Sequence, residues 1–281
     1  MTRHFRARLW AMTIGLPMLL TAIVARPAAA DEPVDLELIL AVDISGSIDA
    51  GEAQLQRDGY VAALTSPEVI DVIQGGFIGR IALTYVEWAG LEHRWTVVGW
   101  RAVHDAASAR GFAATLNAAP LSRGQRTSIS GAIDFTLPMF DGNGFEGTRR
   151  VIDISGDGPN NNGRWVWEAR QTAIAAGVTI NGLPIINNRP NVFGFPSLPD
   201  LDRYYWECVI GGPGAFIVVA ESFQDFAAAI RRKMVLEIAG LPPPPPPRPL
   251  LHHTAGGDRY DCGIGERQYR EFFQNLDNDP F

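Results

Sequence analysis

The stretch Leu38-Ile39-Leu40-Ala41-Val42-Asp43-Ile44-Ser45-Gly46-Ser47 is the most informative part of this chain. An apolar, β-branched run of this kind is typical of a strand that is buried on both faces of a sheet. The run ends abruptly in one carboxylate and two hydroxyls at alternate positions, Asp43, Ser45 and Ser47. Because hard divalent cations prefer oxygen ligands, the end of this strand is predicted to form half of a cation site.

Strand-like runs alternate with segments of helical spacing on both sides of this stretch. The alternation predicts an α/β fold, doubly wound, with a mostly parallel central sheet of about six strands, one antiparallel edge strand, and helices on both faces. The antiparallel pair is 81–88 with 95–100, because the link between them is short enough for a hairpin. The predicted strands are 36–44, 81–88, 95–100, 150–155, 178–186 and 215–220, and the predicted helices are 50–64, 105–118, 129–139, 164–176, 200–209 and 222–238.

The N-terminal residues have the layout of a secretory signal peptide. Three arginines precede an apolar stretch from Leu9 to Ala25, and small residues precede the acidic Asp31. An uncleaved anchor is the alternative, although the stretch is short for a membrane span. The predicted organisation is a signal peptide over 1–30, the α/β domain over 31–240, a proline-rich linker over 241–250 and a C-terminal tail over 251–281.

The charge balance restricts the class of partner. The chain has 31 acidic and 24 basic residues and a formal net charge of −7. Four basic and no acidic residues lie in 1–30, so the net charge of the remainder is close to −11. This excess of negative charge argues against a nucleic acid or an anionic membrane as partner. We expect an exported protein, periplasmic or secreted, with no stable membrane insertion after cleavage of the signal peptide.

The chain has two cysteines, Cys208 and Cys262, on either side of the proline run Pro242–Pro247. In an exported protein two thiols are more often paired than free. A proline run of this length adopts the stiff polyproline II form and acts as a spacer. We therefore predict a disulfide that ties the tail back to the domain, and a recognition role for the proline run stays open.

Two further segments place oxygen ligands at the same predicted edge of the sheet. In parallel sheets, ligands bind outside the carboxyl ends of the strands. Asp157 follows the run that begins at Val151, and Thr127 and Ser128 stand at the start of a predicted helix. Hydroxyls, carboxylates and water suit Mg²⁺, and a site with few direct carboxylates leaves the ion with positive charge that can attract an outside carboxylate.

These residues resemble a known family. Asp43-x-Ser45-x-Ser47, the later Gly-x-Arg126-Thr127 and Gly156-Asp157-Gly158 are similar to the three pieces of the metal-ion-dependent adhesion site (MIDAS) of von Willebrand factor type A (vWA) domains. Their order and separation match from residue 35 to residue 239. The whole chain is also similar to an exported bacterial group of these domains whose function is uncharacterised.

The resemblance implies a role for each residue of the site. Ser45, Ser47 and Thr127 would bind the metal directly or through water, while Asp43 and Asp157 would act mainly through bound waters. The expected cation is Mg²⁺, with Mn²⁺ or Ca²⁺ as alternatives, and its open position would take an Asp or Glu from a protein partner. Many family members have Thr immediately before the last Asp, and this chain has Gly156.

Some residues near the site have a supporting or a purely structural interpretation. Asp153, Ser155 and Ser128 are predicted to hold the metal-binding residues through hydrogen bonds. For Asp153, which lies inside a strand, a structural hydrogen-bonded role is the alternative. The first loop could also simply cap the next helix, a task for which Ser47 or Asp49 is suited.

A rim of side chains around the metal face is predicted to contact the partner. It comprises Trp88, Glu92 and His93 on the hairpin and Phe193 and Phe195 in the insertion 187–200. Exposed aromatic residues there would favour partner binding, and packing under the loop is the alternative.

The predicted function is that of an exported, metal-dependent protein-binding module for adhesion or complex assembly, and not of an enzyme. A Mg²⁺-dependent hydrolase is the rival, although the position of its second Asp is Ser45. A degenerate vWA domain with a metal-free structural role is a third alternative. The sequence leaves open the partner, the biological process, the ion bound in vivo and the oligomeric state.

Overall fold

A computed structural model describes residues 30–186, 197–241, 243 and 260–277. The chain divides into Met1–Ala30, of which only Ala30 is described, and Asp31–Phe281. The expectations for the signal peptide and for most of the proline run therefore lie outside the described residues. Among the residues that are described, no helix is long and apolar enough to cross a membrane.

The centre of the fold is a five-stranded sheet with the order β4-β3-β2-β6-β7. Neighbouring strands are parallel except β3 and β4, which form the predicted antiparallel hairpin. A separate parallel pair joins β1 and β5. The strands are β1 Glu32–Val34, β2 Leu36–Asp43, β3 Ile81–Trp88, β4 Arg94–Val103, β5 Phe145–Gly147, β6 Arg150–Gly156 and β7 Thr179–Pro184.

Helices cover both faces of the sheet, as the alternation of the sequence predicted. The helices are α1 Ala50–Leu64, α2 Pro67–Gln74, α3 Ala106–Ala118, α4 Ile129–Thr136, α5 Val166–Ala175, α6 Leu201–Tyr204, α7 Phe226–Ala239 and α8 Ile264–Asp277. A 3-10 turn, Leu137–Phe140, extends α4, and a π-helical turn, Tyr205–Val209, extends α6.

The central strand β2 explains why the sheet has two apolar faces. Every residue of β2 is buried. Leu38 and Leu40 point into the apolar cluster that α1 and α7 share, whereas Ile39 and Ala41 point into the cluster with α4 and α5. Because successive side chains of a strand alternate between faces, one short apolar run supplies both halves of the core.

The predicted strand 215–220 forms only isolated parallel bridges, from Ile217 to Gly182 of β7 and from Ala220 to Ile185, directly after β7. The Asn181 side chain accepts a hydrogen bond of 3.0 Å from the backbone N–H of Phe216. A side-chain oxygen thus accepts the hydrogen bond that a backbone carbonyl would accept in a regular strand pair. The sheet therefore has five continuous strands and a fragmentary sixth. Helices α2 and α8 and the β1–β5 pair were not predicted.

Candidate metal centre

The first loop brings three oxygen side chains to the carboxyl end of β2. The carboxylate of Asp43 accepts the backbone N–H of Ser45 at 2.7 Å. The hydroxyls of Ser45 and Ser47 lie 3.1 Å apart, and the Ser47 hydroxyl donates to Asp157 Oδ1 at 2.6 Å. The two ends of adjacent parallel strands β2 and β6 are therefore joined through side-chain oxygens.

The start of α1 does not use these oxygens. Asp49 is its N-cap: its carboxylate accepts the N–H of Glu52 at 2.9 Å, and the Glu52 carboxylate accepts the N–H of Asp49 at 2.9 Å. This reciprocal capping box satisfies the first turn of the helix. Helix capping therefore does not account for the positions of Asp43, Ser45 and Ser47.

The second loop, 124–128, is fastened to both neighbouring loops. The N–H of Gly124 donates to the carbonyl of Ile44 at 2.9 Å, and the N–H of Ser128 donates to the carbonyl of Ala89 at 2.8 Å. A methyl group placed on Gly124 would overlap the Ala89 side chain, so this close approach requires glycine. These bonds fix where Thr127 lies in relation to the ends of β2 and β3.

Thr127 is oriented by the loop that follows β6. Its N–H donates to Asn161 Oδ1 at 2.9 Å, and its carbonyl accepts the N–H of Asn161 at 2.8 Å. A methyl group placed on Gly158 would lie 3.7 Å from Thr127 Oγ1, so this hydroxyl faces the segment that carries Asp157. The preceding residue, Arg126, has a φ of +63°, a left-handed conformation that is uncommon without glycine.

The run Asn160–Asn162 connects the loop after β6 to the backbone of the neighbouring loops of the site. Asn160 Oδ1 accepts the N–H of Ser130 at 3.0 Å, and Asn162 Oδ1 accepts the N–H of Leu91 at 2.9 Å. Asn161 was not among the predicted residues of the metal site. The sequence carried a usable sign, since three consecutive asparagines offer side-chain acceptors that turns and helix ends use.

The electrostatics of the site favour a cation. Asp43 is completely buried and Asp157 is 5% exposed. Burial raises the pKa of Asp43 well above its ordinary value, the nearby negative charge of Asp157 raises it further, and hydrogen bonds from Ser45 and from the Asp157 backbone oppose the shift. A divalent ion beside Asp43 and Asp157 would offset their negative charges.

The oxygen set fits a hard cation. Asp43 Oδ2 is buried and has no hydrogen-bond partner in the described ranges. Asp43, Asp157, Ser45 and Ser47 bring two carboxylates and two hydroxyls together, and the Thr127 hydroxyl faces the segment that carries Asp157. Carboxylates and hydroxyls are the donor chemistry of Mg²⁺ or Mn²⁺. Within the described part of the chain there is no group of three or more His, Cys, Asp or Glu side chains placed to hold a metal, so a thiolate or imidazole site is not found there.

The three predicted supporting residues have other partners in the structure. Ser128 caps α4, where it accepts the N–H of Gly131 at 3.1 Å, and it donates to the carbonyl of Asn162 at 2.7 Å. Ser155 Oγ accepts the hydroxyl of Tyr60 at 3.2 Å. Asp153 pairs with Lys233 in the core, which corresponds to the structural interpretation of that carboxylate.

The predicted rim needs one correction. Trp88 is completely buried, and its ring packs in the core with α4 and α5, so it is not offered to a partner. In the register of β2 and β3, Trp88 is the partner of Asp43. Glu92 is exposed and His93 is half-buried on the hairpin link, while Phe193 and Phe195 lie outside the described residues.

The two cysteines form the predicted disulfide, with their Cα atoms 5.5 Å apart. Cys208 lies in the π-helical turn after α6, and Cys262 lies two residues before α8. The pair therefore attaches the start of the C-terminal helix to the main body of the fold.

Sequence comparison gives a family for this arrangement. The family described as "Protein of unknown function (DUF1194)" matches residues 33–242, which include all five candidate metal-binding residues. The chain belongs to the DUF1194 family. The match ends before the C-terminal tail that carries Cys262. Comparison with curated protein sequences finds no match.

Solved structures confirm the vWA-like fold of this DUF1194 protein. Proximal thread matrix protein 1 from the mussel byssus is 17% identical, with a TM-score of 0.52 over 75% of this chain and 49% of the mussel chain. The pilus adhesin SpaC from Lactobacillus rhamnosus GG is 14% identical, with a TM-score of 0.52 over 74% of this chain and 30% of that chain.

A von Willebrand factor type A protein from Catenulispora acidiphila is 14% identical, with a TM-score of 0.51 over 73% of this chain and 43% of its own. The chain thus spans half or less of the length of these proteins. One structure of the mussel protein has zinc in its MIDAS motif.

Proposed function

We propose that this protein is an exported, metal-dependent protein-binding module of the adhesion or complex-assembly type. Asp43, Ser45, Ser47, Thr127 and Asp157 would hold one divalent cation, Mg²⁺ or Mn²⁺, directly or through water. The ion would supply electrophilic charge for a carboxylate of the partner. The proposal extends to this chain the metal site that the mussel protein has in a similar fold.

One observation carries the proposal. Asp43 accepts the N–H of Ser45, the Ser45 hydroxyl contacts that of Ser47, and the Ser47 hydroxyl donates to Asp157, so side chains at the ends of two neighbouring strands are connected. Asp43 Oδ2 is buried and has no hydrogen-bond partner among the residues that the structure describes, and a buried carboxylate without a partner is costly unless it binds a cation or a proton. The capping box at Asp49 removes the simplest alternative use of these residues.

The partner chemistry follows from the ligand set and the charge of the chain. A site made largely of neutral hydroxyls and water leaves the ion able to attract an incoming Asp or Glu. A generally acidic partner would be repelled by a chain with a net charge of −7. We expect one specific acidic side chain on an otherwise neutral or basic protein surface, beside Glu92 and His93.

The hydrolase alternative has less support. A phosphoryl-transfer reaction of the type considered would use Asp43 as nucleophile and a second carboxylic acid two residues later, and that position is Ser45. The Ser45 hydroxyl contacts Ser47, and no general acid stands at that position. Binding is the function that these groups support.

Titration calorimetry with Mg²⁺ and Mn²⁺ tests the metal centre. We expect binding in the wild type and its loss in Asp43→Ala, with the fold retained by circular dichroism. Asp71→Ala, which removes an exposed carboxylate from α2, is the matched control and should bind as the wild type does. Equal affinity of Asp43→Ala and the wild type would refute the proposed site, and absence of any binding would favour a metal-free structural role.

A pull-down from the native envelope tests the partner. Capture should be lost in EDTA and restored by Mg²⁺, and exchange of one Asp or Glu of the captured protein should abolish it. A partner that is captured equally well in EDTA would show that recognition uses another surface.

A further inference from the structure

The C-terminal helix lies against the loops of the candidate metal centre. Glu266 Oε1 in α8 accepts the Nδ2 amide of Asn160 at 2.8 Å. One turn further on, the guanidinium carbon of Arg126 lies 5.1 Å from the centre of the Tyr269 ring, a cation–π distance. Arg126 directly precedes Thr127, so α8 contacts both loops that position this threonine.

Backbone packing strengthens this contact. A methyl group on Gly265 would come within 2.2 Å of the Asn160 carbonyl, so α8 approaches the loop as closely as glycine permits. Asn160 itself is completely buried and its N–H donates to the hydroxyl of Tyr204 at 3.1 Å. The loop after β6, which positions Thr127, therefore packs between α6 and α8.

A second set of contacts connects the turn that carries Cys208 with Asp43. Cys208 lies in the π-helical turn that begins with Tyr205, a residue with no exposed surface. A methyl group on Gly156 would lie 2.8 Å from Asp43 Oδ2 and 2.9 Å from Tyr205 Oη. Both oxygens therefore border one small space, which glycine leaves open immediately before Asp157.

Those two oxygens are otherwise unused. Asp43 Oδ2 and Tyr205 Oη are both buried, and neither has a hydrogen-bond partner in the described part of the chain. The Tyr205 ring is also accommodated by Gly182 of the neighbouring strand, where a methyl group would come within 2.7 Å of the ring. A buried phenol next to a buried carboxylate can donate a hydrogen bond to it, either directly or through one water molecule.

We propose that residues 260–277 form a disulfide-tethered brace for the candidate metal centre and that Tyr205 is the positioning residue that holds the Asp43 carboxylate. The inference rests on the proposed metal site and adds to it a tail that the DUF1194 match does not include. Release of the brace leaves Thr127 and Asp43 less well oriented, and metal affinity falls. An intact disulfide, as expected in an oxidising compartment, keeps the site preorganised.

Two full-length variants test the brace through Mn²⁺ affinity. Tyr205→Phe removes only the hydroxyl, and Cys208→Ala/Cys262→Ala removes only the tether. Each should weaken Mn²⁺ binding by about tenfold or more, the usual effect of losing a residue that orients a metal ligand. Glu271→Gln, an exposed carboxylate on the same helix, is the control and should leave the affinity unchanged.

Hydrogen exchange in metal-free protein tests the brace without relying on the metal. Exchange over 124–128 and 156–162 should accelerate in the double cysteine variant and in Tyr269→Ala, and less in Tyr269→Phe than in Tyr269→Ala, because phenylalanine keeps the ring beneath Arg126. The Tyr269 pair keeps the test valid if the cysteine variant does not fold.

The outcomes separate the two proposals. A wild type that fails to bind Mn²⁺ overturns the metal centre and the role of Tyr205 in it, and exchange then decides the brace alone. A wild type that binds while Tyr205→Phe binds equally well overturns the role of Tyr205. Unchanged exchange in both the cysteine and Tyr269→Ala variants overturns the brace.

Discussion

Lys233 Nζ lies 2.6 Å from Asp153 Oδ1, and neither side chain has any exposed surface. The same ammonium group lies 2.5 Å from Glu237 Oε1, one turn along α7. Two carboxylates thus share one lysine in the core, between β6 and α7. Asn181 donates to Glu237 at 3.0 Å and completes the cluster.

Replacement of the lysine should be strongly destabilising. Lys233→Met leaves Asp153 and Glu237 buried without a cation, and loss of one partner of a buried ion pair costs about 3–5 kcal/mol. Urea denaturation measures this change. Lys233→Met/Asp153→Asn/Glu237→Gln removes all three charges and should recover much of the loss. An unchanged midpoint for Lys233→Met would contradict the ion-pair interpretation.

The same cluster predicts how stability depends on pH. Burial raises the pKa of Asp153 from 3.8 to about 7, and the negative charge of Glu237 adds to the rise. Between these values the folded state binds more protons than the unfolded state, so this carboxyl makes stability fall as pH increases through that range. Comparison of the wild type with Asp153→Asn by denaturation at several pH values should show a smaller decline in the variant. A steeper decline of stability in Asp153→Asn than in the wild type would contradict a raised pKa of Asp153 in the folded state.

Metal affinity should increase with pH. The pKa of Asp43 is raised well above 3.8 by burial and by Asp157, so protons compete with the cation for this carboxylate. Calorimetry with Mn²⁺ at a series of pH values from about 5 upward should show tighter binding at higher pH until Asp43 is fully ionised. Affinity that is independent of pH over this range would indicate that Asp43 does not contribute to the site.

Asn161 should matter for the metal and little for the fold. Its side chain holds the Thr127 N–H at 2.9 Å, next to the left-handed Arg126. Asn161→Ala is expected to weaken Mn²⁺ binding by about tenfold, as other losses of an orienting residue do. Asn117→Ala, at an exposed position in α3, is the matched control. Equal effects of the two substitutions would mean that Asn161 has no specific role.

The disulfide predicts the thiol content and the stability of the native protein. Titration of protein from an oxidising compartment should find no reactive thiol, since Cys208 and Cys262 are bonded to each other. Loss of the bond in Cys208→Ala/Cys262→Ala should lower the free energy of unfolding by about 2–4 kcal/mol. Two titratable thiols in the native protein would contradict the pairing.

Local patterns were sufficient for the five continuous strands of the central sheet, and they indicated the three loops that carry the candidate ligands. The apolar run from Leu36 to Asp43 fixed a buried central strand, and oxygen side chains at strand ends gave the candidate ligands. Helix α1 was predicted with its observed bounds from its helical spacing. These features depend on residues close together in the sequence.

Contacts between distant segments could not be predicted in the same way. The burial of Trp88 depends on what α4 and α5 place over it, and the placement of Tyr205 beside Asp43 depends on two glycines on neighbouring strands. The disulfide prediction tied the tail back to the domain, but helix α8 itself and the surface that it packs against were not predicted. Its position on the loops after β6 is set by tertiary packing.

The capping box at Asp49 has a consequence for how this protein can change during evolution. Since α1 begins without help from Ser45 or Ser47, substitutions at these two serines need not weaken the helix. Substitutions at these serines could therefore change the ion selectivity of the site, or remove metal binding, while the thermal stability of the fold is kept. In the first loop, the residues that set the metal preference are then different from the residues that start the helix, so each property can change without the other.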